Sequence, residues 1–203
     1  SDSNVYRQSD VLAKKARVFR SKGRKSTLKL DPKLKIPRYL TAVDIHLLPG
    51  CYYTDRTEHD VTAGAMYDPG VYMFAMGSMG QYNEDMGLGV IRWLEKNKPT
   101  FKPKRILDMG CSVGHCTLPY GDAFPSARID AIDVGPPVLR YAQARAESMG
   151  YSINFSQQNA EATNFEDGMF DLIVSHILLH ETSRKAVYNI MRECFRLLKP
   201  GGI

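Results

Sequence analysis

The stretch Ile106-Leu107-Asp108-Met109-Gly110-Cys111-Ser112-Val113-Gly114-His115 decides the fold of this chain. Ile106 and Leu107, behind Arg105, are a short apolar run with a β-branched member, bounded by charge on one side and glycine on the other. Such a run reads as a buried parallel strand. Asp108 closes the strand, Gly110 and Gly114 allow a positive φ or a close approach to a ligand, and Thr117 onward can open a helix. The expected unit is strand, glycine turn, helix.

Residue chemistry narrows what this turn can hold. A pyrophosphate site wants G-x-G-x-x-G and bare backbone donors at a helix N-terminus. Here no G-x-G pair occurs, and a carboxylate stands two residues before the first glycine. Asp108 would repel phosphate and suits a ligand bearing an ammonium or sulfonium. The run D-x-G-C-S-x-G resembles motif I of the class I S-adenosylmethionine-dependent methyltransferases.

Three further segments follow in the order that this resemblance implies. Ala127 to Asp133 (ARIDAID) reads as a second strand, whose Asp133 lies 25 residues after Asp108. That is near the spacing at which an acid meets ribose hydroxyls in related α/β folds. Ile153 to Gln158 is a third strand candidate, and Asn159-Ala160-Glu161 after it resembles the family's adenine-binding turn. The family often has Asp at the first of these positions; Asn159 keeps a donor and an acceptor but removes a charge. Phe170 to Val174 is the fourth strand, and Leu198 to Gly202 (LKPGG) resembles the turn before the family's fifth.

The resemblance implies roles for named residues. Asp108 with Gly110, Cys111, Ser112 and Gly114 would hold the methionyl end of S-adenosylmethionine. Asp133 and Val134 would hold the ribose, and Asn159, Ala160 and Glu161 the adenine end, with Ser175 on the same cofactor edge. Asp133 also has a structural reading, as a helix cap ahead of Pro136. His176 and His180 border the segment where the family moves its methyl group, so either is a candidate general base at near-neutral pH. A histidine in the apolar run 176–180 also has a structural reading, as a satisfied core or capping residue. The pair has metal-ligand spacing, but no third ligand stands in a recognisable place, and no metal is expected.

Charge is unevenly spread. The net is +5 over 203 residues, yet residues 1–40 hold twelve Lys and Arg against three acids. The rest of the chain is slightly acidic. Such an arm fits nucleic acid or an acidic partner, or else an amphipathic helix with Val11, Leu12, Val18 and Phe19 on its apolar side, capped by Ser9 and stopped before Gly23. Four scattered cysteines without C-x-x-C argue against a disulfide framework or zinc site. No run is long enough for a membrane span and no signal-peptide core is visible, so a cytoplasmic enzyme is the default.

Three regions are expected: a basic arm over 1–40, a Tyr-, Met- and Gly-rich helical cap or lid over 41–100, and a cofactor-binding domain over 101–203. The expected fold is a doubly wound, mostly parallel α/β sheet with a helical N-terminal extension, its last strands truncated after Ile203. Helices are expected with Met86, Val90, Ile91 and Leu94 on one face, then Val138 to Ala146, then Val187 to Leu198; Trp93 is read as core. The implied activity is methyl transfer from S-adenosylmethionine to a small-molecule acceptor. An RNA- or protein-directed enzyme gripping through the arm, or a non-catalytic methyltransferase-like module, are the alternatives. Ser175-His176-Ile177-Leu178, in place of an Asn/Asp-Pro-Pro-aromatic segment, argues against amino-methylation of DNA bases.

Overall fold

The computed structural model describes residues 2–22, 25–48 and 50–203. The expected helix stop at Gly23 lies outside them. In chain order the elements are α1 (Asp2–Arg7), α2 (Ser9–Lys22), β1 (Thr27–Lys29), α3 (Arg38–Ala42), α4 (Thr62–Phe74), α5 (Asp85–Asn97) and β2 (Arg105–Met109). There follow α6 (Pro119–Ala123), β3 (Arg128–Asp133), α7 (Pro136–Met149), β4 (Asn154–Gln157), β5 (Leu172–Val174), a 3-10 turn (Leu178–Glu181) and α8 (Arg184–Leu197).

All five strands run parallel in the order β1-β4-β3-β2-β5. Alternation along β2 divides the core in two. Ile106 joins Ile129, Ala131, Phe155 and the inward sides of α5 and α7 on one face of the sheet. Leu107 and Met109 join Ile132, Phe170 and, from α8, Ile190 on the other. Burial on both faces is what makes these strands continuously apolar. The sheet is doubly wound as expected, and β2 runs one residue past Asp108. Between it and α6 the chain makes turns through residue 118, a longer loop than a helix opening at Thr117 would leave.

The helices follow their signals. Pro136 and Pro137 open α7, where a missing N–H costs nothing, and Gly150 ends it at φ 84°. Ser183 Oγ caps α8 by accepting from Ala186 N at 3.2 Å. Ile91 and Leu94 turn inward on α5, but Trp93 is 50% exposed and is not core. On α8, Ile190 and Leu197 are buried whereas Met191 and Phe195 face outward.

The N-terminal segment departs most from expectation. Val11, Val18 and Phe19 are exposed, and the inward side of α2 is Ala13 and Ala16, with Leu12 beside them. Alanines let α2 lie close on α7, where Arg20 Nε donates to Gln143 Oε1 at 2.7 Å. The arm then enters the sheet: β1 pairs with β4 from Thr27↔Asn154 to Lys29↔Ser156. Ser26 fastens the joint, its N–H donating to Glu147 and its hydroxyl to the Tyr151 carbonyl. Much of the basic segment is thus part of the body of the fold. Among the described residues no helix is long and apolar enough to cross a membrane.

Candidate active site

Parallel strands expose their C-terminal ends along one edge, where α/β sheets bind ligands. Here that edge carries Asp108, Asp133 and Gln158, at or just beyond the ends of β2, β3 and β4. They border a cavity of about 760 Å³, roofed by residues from the segment 39–53 and from α4.

Asp108 is 1% exposed. Its Oδ2 accepts from Thr117 Oγ1 at 2.6 Å, and its Oδ1 has no partner. Burial raises its carboxyl to about 7; the Thr117 hydrogen bond opposes this, and the charge of Asp133 adds to it. Asp133 is raised too, again by burial, against hydrogen bonds from the backbone of Gly135, Ser112 and Val134. Its Oδ1 accepts from Gly135 N at 2.9 Å and its Oδ2 from Ser112 N at 3.0 Å. Asp133 therefore organises the glycine loop as well as facing the cavity.

The loop's own donors are spent inside the protein. Gly110 N and Cys111 N both donate to the Ile132 carbonyl, Gly114 N donates to Cys111, and Ser112 N is held by Asp133. An anionic ligand would find few N–H groups here. A cationic one would meet the unpartnered Asp108 oxygen, in agreement with the charge argument made from the sequence. Gly110 has φ 78°, and a Cβ there would stand 2.9 Å from Leu178 Cδ1, so the turn and the 3-10 segment are closely packed.

Of the residues expected at the cofactor, Asp108, Gly110, Cys111, Ser112, Asp133, Val134 and Ala160 line the cavity. Gly114, Asn159, Glu161 and Ser175 do not. Gly114 shapes the turn at φ 83°. Asn159 folds its side chain back to accept from Glu161 N at 2.9 Å, and Glu161 accepts from Asn189 Nδ2 at 2.7 Å. Ser175 Oγ donates to the Met109 carbonyl at 3.0 Å. Gln158, which sequence reading took only as the end of a strand, also lines the cavity beside Ala160, its side chain donating to Ser156 Oγ and accepting from Asn164 N.

The two histidines part company. His176 lies 3.2 Å from the Tyr120 hydroxyl, and burial lowers its pKa, which favours the neutral ring. Ile177 follows at φ 63°, a strained conformation for a β-branched residue, and turns the chain so that His180 reaches the rim elsewhere. His180 Nε2 is 3.2 Å from His46 Nε2, and His46 Nε2 is 2.6 Å from Glu181 Oε1. His46 comes from the cap 134 residues earlier, so no local spacing could reveal it.

The roof is aromatic. Tyr52 and Tyr67 meet edge to face, with centroids 5.5 Å apart, and Tyr67 stacks on His115. His115 Nε2 is 2.6 Å from Asp68 Oδ1, and Tyr141 OH donates to Asp68 Oδ2 at 2.9 Å. Burial alone would raise the Asp68 carboxyl, but hydrogen bonds from His115 and Tyr141 and the charge of Arg145 hold it below its usual range. These contacts fasten α4 to the glycine loop and α7. The Tyr- and Met-rich region thus borders the cavity through Met66, Tyr67, Val71 and Phe74 of α4, packed in place by these contacts.

Residues 106–202 match the family described as a methyltransferase domain. The chain is 33% identical over 100 residues to demethylmenaquinone methyltransferase of Thermus thermophilus, covering 49% of this chain and 44% of that protein. It is 34% identical over 99 residues to a ubiquinone biosynthesis O-methyltransferase of Methylocella silvestris, covering 49% and 37%. It spans less than half the length of either relative. Among solved structures, the PH0226 protein of Pyrococcus horikoshii superposes with a TM-score of 0.55 at 22% identity, covering 67% of this chain and 58% of that one. Phosphoethanolamine N-methyltransferase 2 of Haemonchus contortus, solved with S-adenosyl-L-methionine, gives 0.53 at 21%, covering 73% and 33%. Residues 106–202, just under half of the chain, are thus similar to a methyltransferase domain, set in the parallel α/β fold that these solved structures share.

Proposed function

We propose that the protein binds S-adenosylmethionine between β2 and β4 and transfers its methyl group to a small-molecule acceptor with an apolar, ring-bearing body. The observation that carries this reading is the shared cavity: the unpartnered Asp108 oxygen and an aromatic roof border one space. Asp108 would pair with the methionyl ammonium, and Asp133 would accept from the ribose hydroxyls. Gln158 and Ala160 would meet the adenine. When bound, the cofactor supplies an electrophilic methyl on a sulfonium that leaves as a neutral thioether.

The chain's own task is then to exclude water and to align the acceptor, which provides most of the advantage in a direct displacement. Tyr52 and Tyr67 from the roof give the acceptor apolar faces. Where the acceptor must lose a proton, the neutral His176 is the base on the buried side. The names of the two quinone-pathway relatives favour a phenol- or quinol-like ring. Packing of α2 on α7 and pairing of β1 with β4 give the basic arm a structural role, which weighs against its being a grip for RNA or protein.

Calorimetric titration of S-adenosylmethionine into the folded chain is the first test, and absence of binding would overturn the reading. A mass-spectrometric methylation screen over phenols, quinols and amines at low and high salt then separates acceptor classes. Steep salt dependence would point to a polyanionic substrate instead.

A further inference from the structure

His46, His180 and Glu181 converge at the rim of the cavity. Their ligand atoms all lie within 4.8 Å of one another: His46 Nε2 to His180 Nε2 is 3.2 Å, His46 Nε2 to Glu181 Oε1 is 2.6 Å, and His180 Nε2 to Glu181 Oε1 is 3.3 Å. Ligands about 2.1 Å from one divalent ion stand roughly 3.0–3.4 Å apart in octahedral or tetrahedral geometry. Two of the three separations fall in that range, and the third needs only a small outward movement of an exposed histidine.

The donor set has a chemical signature. Two imidazole nitrogens facing each other at 3.2 Å, both beside one carboxylate oxygen, leave at most one hydrogen between the rings. A cation placed among the three atoms uses all their lone pairs at once. Two nitrogens and one oxygen suit a transition-metal divalent ion such as zinc, cobalt or iron, and fit poorly the all-oxygen preference of magnesium or calcium. Among the described residues this is the one group of three or more such side chains so arranged.

We propose that His46, His180 and Glu181 form a binding site for a divalent transition-metal ion on the wall of the cavity. Three protein ligands leave coordination positions open, and because all three residues border the cavity, an oxygen of a bound small molecule, hydroxyl or carboxylate, can occupy one. The ion also ties the cap, through His46, to the segment after β5, through His180 and Glu181. The strained Ile177 at φ 63° brings that segment into place. The site goes beyond the methyl-transfer reading and does not depend on it, since metal binding is read without cofactor or acceptor.

Cobalt(II) is the probe, because its visible absorption reports nitrogen ligation, with zinc as competitor. The full chain should take up one Co²⁺ with a ligand-field spectrum that Zn²⁺ abolishes. His46→Ala, His180→Ala and Glu181→Gln should each weaken binding by roughly tenfold or more, as loss of metal-ligand chemistry commonly does. His59→Ala, at a half-buried histidine outside the cluster, should leave it unchanged. Circular dichroism melts establish that each variant is folded. Absence of a one-to-one Co²⁺ complex in the wild-type chain would overturn the site, as would wild-type affinity in the His46→Ala and His180→Ala variants. Cofactor titration on the same samples keeps this outcome separate from the methyltransferase reading.

Discussion

Thr117 Oγ1 donates to Asp108 Oδ2 at 2.6 Å, and Asp108 Oδ1, in the same buried carboxylate, has no partner. One oxygen is thus satisfied by the protein and the other is not. A buried acceptor without a partner is costly, and a cation that pairs with it recovers that cost on binding.

Titration of Asp108 should govern affinity for S-adenosylmethionine. With its pKa raised to about 7 by burial, the carboxyl is largely protonated in mild acid and ionised in mild base. Only the ionised form attracts an ammonium. Affinity should therefore rise about tenfold between about pH 6 and pH 8, and Asp108→Asn should bind weakly with no such slope. Stability moves the other way. A carboxyl raised in the native state favours folding less as pH climbs from about 4 to about 7, so Asp108→Asn should be more stable than wild type at pH 8, by roughly 4 kcal/mol. A variant with the wild-type pH slope of binding would refute the assignment.

Asp133 makes a second separable prediction. Removing its carboxylate frees Ser112 N and Gly135 N and takes away the ribose acceptor. Asp133→Ala should weaken S-adenosylhomocysteine binding by about a hundredfold, the effect of losing about two charge-assisted hydrogen bonds. Asp133→Asn, which keeps one acceptor oxygen, should lose less. Calorimetry on both variants checks the ranking, and unchanged affinity in the alanine variant would remove Asp133 from the site.

Strands β2, β3 and β5 were legible because each carries a short, largely apolar run of the kind that burial in a parallel sheet enforces. The arm was not. Thr27-Leu28-Lys29 is three residues long with one partly buried side chain, too short for alternation to show. The inward side of α2 is alanine, which hydrophobic patterning underweights, while Val11, Val18 and Phe19 drew attention to the exposed side. At the adenine turn the family pattern pointed to Asn159, whereas a self-bonded Asn159 leaves its neighbours Gln158 and Ala160 to face the cavity. His46 was beyond reach for another reason: it meets His180 and Glu181 only through the tertiary fold.

Gly110 and Gly150 form a matched pair. Both have positive φ, at 78° and 84°, but a Cβ on Gly110 would press on Leu178, and one on Gly150 would meet nothing within 4 Å. Gly150→Ala should cost about 1 kcal/mol of backbone strain and leave ligand binding intact. Gly110→Ala should cost more and also weaken cofactor binding, because Leu178 opens the 3-10 turn at the cavity rim. Melting curves and calorimetry on the two variants read the difference.

Glu193 links acid stability to the segment after β4. Its Oε1 accepts from Thr163 N and Thr163 Oγ1, each at 2.7 Å, and from Arg196 Nη2 at 2.6 Å. Burial would raise this carboxyl, but the hydrogen bonds from Arg196 and Thr163 pull it down to about 2. A depressed native pKa means that the stabilisation is complete above the unfolded value, near 4.5, and is lost as pH falls from there through about 2. Glu193→Gln should lower stability at neutral pH by roughly 1–2 kcal/mol, allowing for solvent screening, and should flatten the acid limb of the melting profile.

Ile177 poses a trade between strain and function. At φ 63° and 52% exposed, it carries a β-branched side chain in a backbone region that disfavours one, with little apolar burial in return. Substitution by glycine relieves about 1–2 kcal/mol of strain, partly offset by the greater freedom of an unfolded glycine. Ile177→Gly should therefore melt at or slightly above the wild-type temperature. The same change loosens the link between His176 and the His180-Glu181 pair, so Co²⁺ affinity should fall even though none of the three ligands has been altered. A clear drop in melting temperature would instead mean that Ile177 contributes more by packing than it costs in strain, and the conformation would lose its functional reading.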